Sequence, residues 1–312
     1  MDLNLTELLE VGFDVLEAGG TALPAGLDDR VLVAALAGGR PSMHPGWEAD
    51  LRGTDGELTA LGTLTRTAAG LSSLLDSLEP AEWSRPTNVQ GATVHDLVVH
   101  LVGVERYMLG QLGRRPSVDA PRREDHFRVT SGLAADLVAA DSTRLARMWW
   151  LEVMALIGVI GELGPDHQVA YHHLAGGVRG LAVVRTFELW THDDDIRRAT
   201  GRPLNPLDEP RLALMSSSLL GVLAGGMALS GTTQTGRTAR ITVTGAGTQT
   251  SDVALALGET AGTPDITITV DALDLCRLAS NRVPIGELPA VVEGDRSLLE
   301  PVLVGATAFA MD

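Results

Sequence analysis

Strand-like alternation enters the hydrophobic pattern of the chain only after Pro206, and that change limits the architectures open to it. Before residue 205, apolar residues recur at three- and four-residue steps over long stretches, as they do in helices that bury one face. After Pro206, the segments RTARITVTGAG, DVALALGE and DITITVDA alternate apolar with polar residues, as half-buried strands do. A chain that switches period in this way is expected to form two units rather than one longer bundle. The expected fold class is α+β: a four-helix bundle over residues 53–205, then a smaller α+β domain over residues 206–312. Residues 1–52 read as an N-terminal extension with one amphipathic helix, Leu5 to Leu16.

Individual elements can be placed from their ends. The row Leu58, Leu61, Leu64, Ala68, Leu71, Leu75 and Leu78 predicts the first bundle helix. Thr93 is a good N-cap for a second helix that runs from Val94 to Leu112 and stops before Gly113. Further helical patterns cover residues 131–140 and 143–163. The last bundle helix spans residues 178–200 and ends at Gly201, with Pro203 just beyond. In the second unit, helices are expected at residues 208–229, 272–280 and 296–309.

Several function classes are excluded by composition. The formal charge of −16 opposes nucleic acid and anionic membrane surfaces, which reward clustered positive charge, and points to a small-molecule partner. The start MDLNLTELLEVGF is acidic where an export signal would be basic, and the apolar stretch Trp149 to Leu163 is too short for a bilayer span. A cytoplasmic protein without a membrane partner is therefore expected, as monomer or homodimer. Cys276 is the only cysteine, which leaves no disulfide framework, CxxC motif or multi-cysteine zinc ribbon. Every basic position is arginine, so a Schiff-base lysine and a P-loop lysine are absent as well.

Glu188 and His192 carry the chemistry most directly. Four residues apart on one helix, they lie one above the other, and their flanks Ala182, Val183, Phe187, Leu189 and Trp190 are apolar enough to bury that helix. A buried carboxylate without a cation is costly. His100 shares a helix face with Leu97, Val104 and Met108, so it should point into the bundle, where an imidazole needs a partner. His100, Glu188 and His192 would together make a His2Glu set for a divalent metal, zinc foremost, with one coordination position left open as in catalytic sites. Asp195, three residues beyond His192, is placed to orient it. Other polar residues carry blander expectations. His167, His172 and His173 read as solvated loop histidines, Asp193 and Asp194 as a solvated helix face, and Cys276 as a buried inert thiol, while His44 and His126 have no partner legible in the sequence.

Three stretches also resemble a known family. WSRPTNVQGATVHDLVVHL is similar to the helix-two entry of the DinB-like, mycothiol-dependent maleylpyruvate isomerase family, and RTFELWTHDDDIRRATGRP resembles that family's second metal-binding run. DITITVDALDLCRLASNRVPIGELPAVVEGDRSLLEPVL resembles the sterol-carrier-like C-terminal domain that accompanies the bundle there. The resemblance implies metal ligands at His100, Glu188 and His192, an orienting Asp195, and an arginine reaching over the cleft toward substrate, either Arg282 or Arg296. His95 and the run Asp193, Asp194, Asp195 depart from the family pattern.

The resemblance further implies zinc and a low-molecular-weight thiol, mycothiol or a relative, as cofactors. A metal-bound thiol loses its proton at neutral pH and can add to an electrophilic double bond. Rotation and elimination then complete a cis-trans isomerisation, whereas addition alone is S-transfer. Two other readings fit the same residues: a metal-dependent hydrolase or lyase that activates water, and a non-catalytic small-molecule-binding protein.

Overall fold

The computed structural model describes residues 59–119, 125–163, 167–171, 174–204, 207–245 and 248–310. The extension over residues 1–52, with its helix at Leu5 to Leu16 and His44, lies outside the described residues, as do His172 and His173.

The first helix, α1 (Ala60–Asp76), starts where the Thr59 hydroxyl accepts from the Gly62 amide at 3.0 Å. Its Leu64, Ala68 and Leu71 are sealed from solvent. A reciprocal capping box opens α2 (Val94–Gln111), with Thr93 and Asp96 each accepting from the other's backbone amide. Two further helices, α3 (His126–Leu133) and α4 (Ser142–Leu163), pack on α2. Helix α3 starts five residues before the predicted 131–140 segment, and Ala135–Leu137 form a separate 3-10 turn because Ala134 leaves the helical region at φ −117° and ψ 24°. A short antiparallel hairpin, β1 (Gln168–Tyr171) and β2 (Leu174–Gly177), occupies part of what reads as a loop in the sequence.

Helix α5 (Val178–Thr200) closes the bundle against α1 and ends on Gly201 in the left-handed region, at φ 71°. Leu181, Ala182, Leu189 and Ile196 of this helix belong to the bundle core, whereas Trp190 belongs to the core of the C-terminal unit. Helix α5 is therefore buried on two sides by two different cores.

The C-terminal unit opens with α6 (Glu209–Ser230), capped by Asp208. A sheet follows, built from β3 (Thr238–Thr244), β4 (Gln249–Ala254), β5 (Ile266–Asp271) and β6 (Ala290–Gly294) in the order β4-β3-β5-β6. Strands β3 and β5 run parallel, and both outer pairs are antiparallel. Ala239, Ile241 and Val243 of β3 and Ile266, Ile268 and Val270 of β5 point to one face, which α6, α7 (Ala272–Ala279) and α8 (Leu299–Thr307) cover. Helices α6 and α8 cross closely at Gly226 and Gly305, where a Cβ on Gly226 would run into the Gly305 carbonyl. The short edge strand β6, largely exposed, has no counterpart among the expected elements. By length and composition alone α6 could cross a membrane, but Leu219, Leu220, Leu223 and Met227 bury it in the C-terminal core.

Candidate metal centre

Three helices converge on Glu188. From α2, His100 brings Nε2 to 3.3 Å from Glu188 Oε1; from α3, His126 brings Nε2 to 3.4 Å from the same oxygen. One donor atom from each of His100, His126 and Glu188 can be chosen so that all three lie within 4.8 Å of one another. His192, one turn along α5, sets its ring edge-on to His100 with centroids 5.5 Å apart. Both His100 and His192 are 1% exposed. Among the described residues the structure thus brings together the donor atoms of His100, Glu188 and His126, for which the sequence offered no partner, while His192 stands beside this group through its ring contact with His100.

A missing side chain makes the approach of α3 possible. A Cβ on Gly103, one turn after His100, would collide with the Thr130 carbonyl. With glycine there, Thr130 comes close enough for its Oγ1 to lie 2.7 Å from His100 Nδ1. The same hydroxyl donates to the His126 carbonyl at 2.7 Å, so toward His100 it serves as acceptor. Nδ1 of His100 then carries the proton, and Nε2 presents a lone pair. On its other side the ring stacks on Phe127, with centroids 4.6 Å apart.

Glu188 is held from behind by Arg185, which is fully buried and bridges Glu188 to Glu105, its Nη2 lying 2.5 Å from Glu105 Oε1. Burial alone would raise the Glu188 pKa, but the Arg185 charge, foremost among the opposing influences, brings it well below the usual carboxylate range. Glu105, deeper in the bundle, is raised by burial despite the same arginine. Burial depresses His100 to about 4, so its imidazole is neutral at pH 7. A neutral imidazole lone pair and an ionised carboxylate oxygen, both acceptors, therefore face each other at 3.3 Å. The donor set fits a divalent cation, which satisfies both at once.

His192 is oriented from the opposite side. Its Nδ1 lies 3.1 Å from Asp195 Oδ2, and Asp195, with no solvent exposure, also receives a two-pronged contact from Arg282 of the C-terminal unit, at 3.0 and 2.6 Å. Burial would raise Asp195, yet its hydrogen bonds with His192 and Arg282 hold it below the ordinary value. Of the two arginines named from the sequence, Arg282 thus reaches the cluster through Asp195. Arg296 is exposed and bonds the Val292 carbonyl of its own unit at 3.2 Å.

Asp193 and Asp194 do not form a solvated face. Each is 4% exposed; Asp193 pairs with Arg197 at 2.5 Å, and Asp194 faces Arg277 of α7 at 3.6 Å. The C-terminal unit packs over this side of α5, which helical periodicity within α5 cannot reveal. His95 bonds the Ala140 carbonyl at 3.0 Å and so ties α2 to the segment before α4. His167 is exposed, and Cys276 is buried with its thiol pKa pushed up by burial.

Residues 64–197 match the family model described as mycothiol maleylpyruvate isomerase N-terminal domain. Two solved structures are also similar in part: that of mycothiol-dependent maleylpyruvate isomerase, at 15% identity and a TM-score of 0.49 over 74% of this chain and 95% of that one, and that of a histidine-to-alanine mutant, at 13% identity and 0.48 over 74% and 91%. No curated protein matches significantly. Glu188, His192 and His100 all fall inside the matched span, as do His126 and Asp195.

Proposed function

We propose that the chain is a metal-dependent enzyme that uses a low-molecular-weight thiol, mycothiol or a relative, for cis-trans isomerisation of, or S-transfer to, a small electrophilic substrate. Thiol dependence and isomerase chemistry rest on the family-model match over residues 64–197. The metal rests on one observation: donor atoms of His100, His126 and Glu188 lie within 4.8 Å of one another in a buried cluster, with His100 Nε2 at 3.3 Å from Glu188 Oε1.

In this reading His100, Glu188 and His192 hold a divalent ion, zinc foremost, and Asp195 fixes His192. His126 stands next to Glu188 as a further imidazole available to the ion. A metal bound there would lower the pKa of a thiol and keep its thiolate oriented toward an electrophilic double bond. The protein's own part is to keep Glu188 anionic through Arg185, to hold His100 in one tautomer through Thr130, and to keep water from the metal-facing atoms by burial. Arg296, exposed near the start of α8, remains the arginine for a substrate carboxylate.

The test begins with metal content. The purified chain should hold one equivalent of zinc, and His100→Ala, Glu188→Gln and His192→Gln should each lose it; stoichiometric zinc in His100→Ala would overturn the assignment. Loss in His126→Gln with retention in His192→Gln would move the third ligand to His126. The zinc-loaded protein is then titrated with mycothiol, glutathione and ergothioneine. Tight, zinc-dependent binding of one thiol is expected, and binding of none would favour a water-activating hydrolase instead.

A further inference from the structure

We infer that Arg282 is a positioning residue through which the C-terminal unit tunes the metal site of the bundle, acting on His192 by way of Asp195. The inference rests on the metal reading above and goes further, because it makes the second domain part of the centre.

All three nitrogens of the guanidinium are committed. Nε and Nη2 bond Asp195 Oδ1 and Oδ2 at 3.0 and 2.6 Å, and Nη1 bonds the Ser280 carbonyl at 2.9 Å. The fork that could clasp a substrate carboxylate is already clasping a protein carboxylate. Nor is the arginine loosely placed. Asn281 adopts the left-handed conformation at φ 55°, and the amides of Asn281 and Arg282 close back on the carbonyls of Leu278 and Arg277 at 2.9 and 2.8 Å, a C-cap that fixes Arg282 to the end of α7.

Asp195 has no solvent exposure and the Arg282 side chain 12%, so the contact works in a medium of low polarity. Asp195 Oδ2 accepts from Arg282 Nη2 and also meets His192 Nδ1. An anionic, immobile Asp195 keeps the proton on His192 Nδ1 and leaves Nε2 as the lone-pair nitrogen, the form a metal requires. Without Arg282, Asp195 would lose the two-pronged contact that fixes its carboxylate plane and would be free to turn from His192. Carboxylates that orient histidine ligands are commonly worth 10- to 100-fold in metal affinity. Here the carboxylate's own orientation comes from another domain.

The experiment measures zinc dissociation constants of the full-length chain by competition with a chromophoric chelator. Wild type is compared with Arg282→Ala, Arg282→Lys, Asp195→Asn, the double variant Asp195→Asn/Arg282→Ala, and Arg277→Ala, which cuts the neighbouring interdomain contact with Asp194 but leaves Asp195 alone. Arg282→Ala and Asp195→Asn should each weaken zinc by about 10- to 100-fold. The double variant should lose little more than either single one, because the residues act in series. Arg282→Lys keeps the charge without the fork; it should fall between, and it replaces Arg282→Ala if that variant does not fold. Undiminished affinity in the Arg282 variants, a double variant whose loss is the product of the singles, or an equal loss in Arg277→Ala would overturn the inference while leaving the metal reading intact. A wild-type chain that binds no zinc would end both.

Discussion

Arg185 and Glu105 form an ion pair 2.5 Å long in which both side chains are completely sealed from solvent. A buried pair of this kind gains little over a well-packed apolar pair, but removal of one partner strands the other's charge. Arg185 also carries the charge that keeps Glu188 ionised. Arg185→Met is therefore expected to cost about 3 to 5 kcal/mol of stability. Urea denaturation of the single variant checks this, and adding Glu105→Met should recover part of the loss by removing one of the two stranded carboxylates.

Acid should weaken the metal-free protein through His100. The unfolded chain takes up this proton near the ordinary value of 6.5, but the folded chain resists until about 4, because burial penalises the imidazolium. A group that protonates more readily when unfolded pulls toward unfolding as pH falls. His100 therefore leaves stability intact above pH 6.5 and removes it progressively between 6.5 and about 4, by about 3 kcal/mol in all. Denaturation midpoints at a series of pH values, for the chelator-treated wild type and for His100→Gln, should show a shallower decline in the variant across that window. Equal slopes would remove His100 as the cause.

How much of this was open to the sequence depends on whether a relationship lies within one element or between two. Glu188 and His192 are a helical repeat apart, and Thr93, Asp96 and Gly201 mark helix ends by local rules, so those features could be read directly. Strands β3 and β5 announced themselves by alternation. The place of His126 could not be read that way. It opens an eight-residue helix, and what brings it to Glu188 is the absence of a side chain at Gly103, on another helix. In hindsight, a glycine one turn from an inward histidine was the available signal. Asp193 and Asp194 were misjudged for a related reason: their burial comes from a unit whose docking side no periodicity within α5 encodes.

Gly103→Ala tests whether the close approach at Gly103 sets the site. The added methyl group meets the Thr130 backbone carbonyl rather than a side chain that could swing away, so α3 must move. Overpacking of this kind typically costs about 1 to 3 kcal/mol. Because Thr130 and His126 both ride on α3, zinc affinity should fall along with the thermal midpoint. A variant that loses stability but keeps its zinc affinity would mean that α3 is packing only.

Thr130→Val separates the hydrogen bond from the packing. Valine matches threonine in shape and leaves α3 where it is, but it removes the oxygen that accepts from His100 Nδ1 at 2.7 Å. With no acceptor on that side, the proton of His100 is free to move to Nε2, where it would face the ionised Glu188 Oε1 across 3.3 Å and gain a hydrogen bond. The tautomer suited to metal then becomes the disfavoured one, and zinc must displace a proton that it does not meet in the wild type. A loss of about 10- to 100-fold in zinc affinity is expected, with a stability change near 1 kcal/mol in the metal-free protein. Ring nitrogen chemical shifts of His100 in the metal-free protein read the tautomer itself. A proton on Nδ1 in the wild type and on Nε2 in the variant would tie the affinity loss to the hydroxyl. The same tautomer in both would mean that Thr130 does not orient His100.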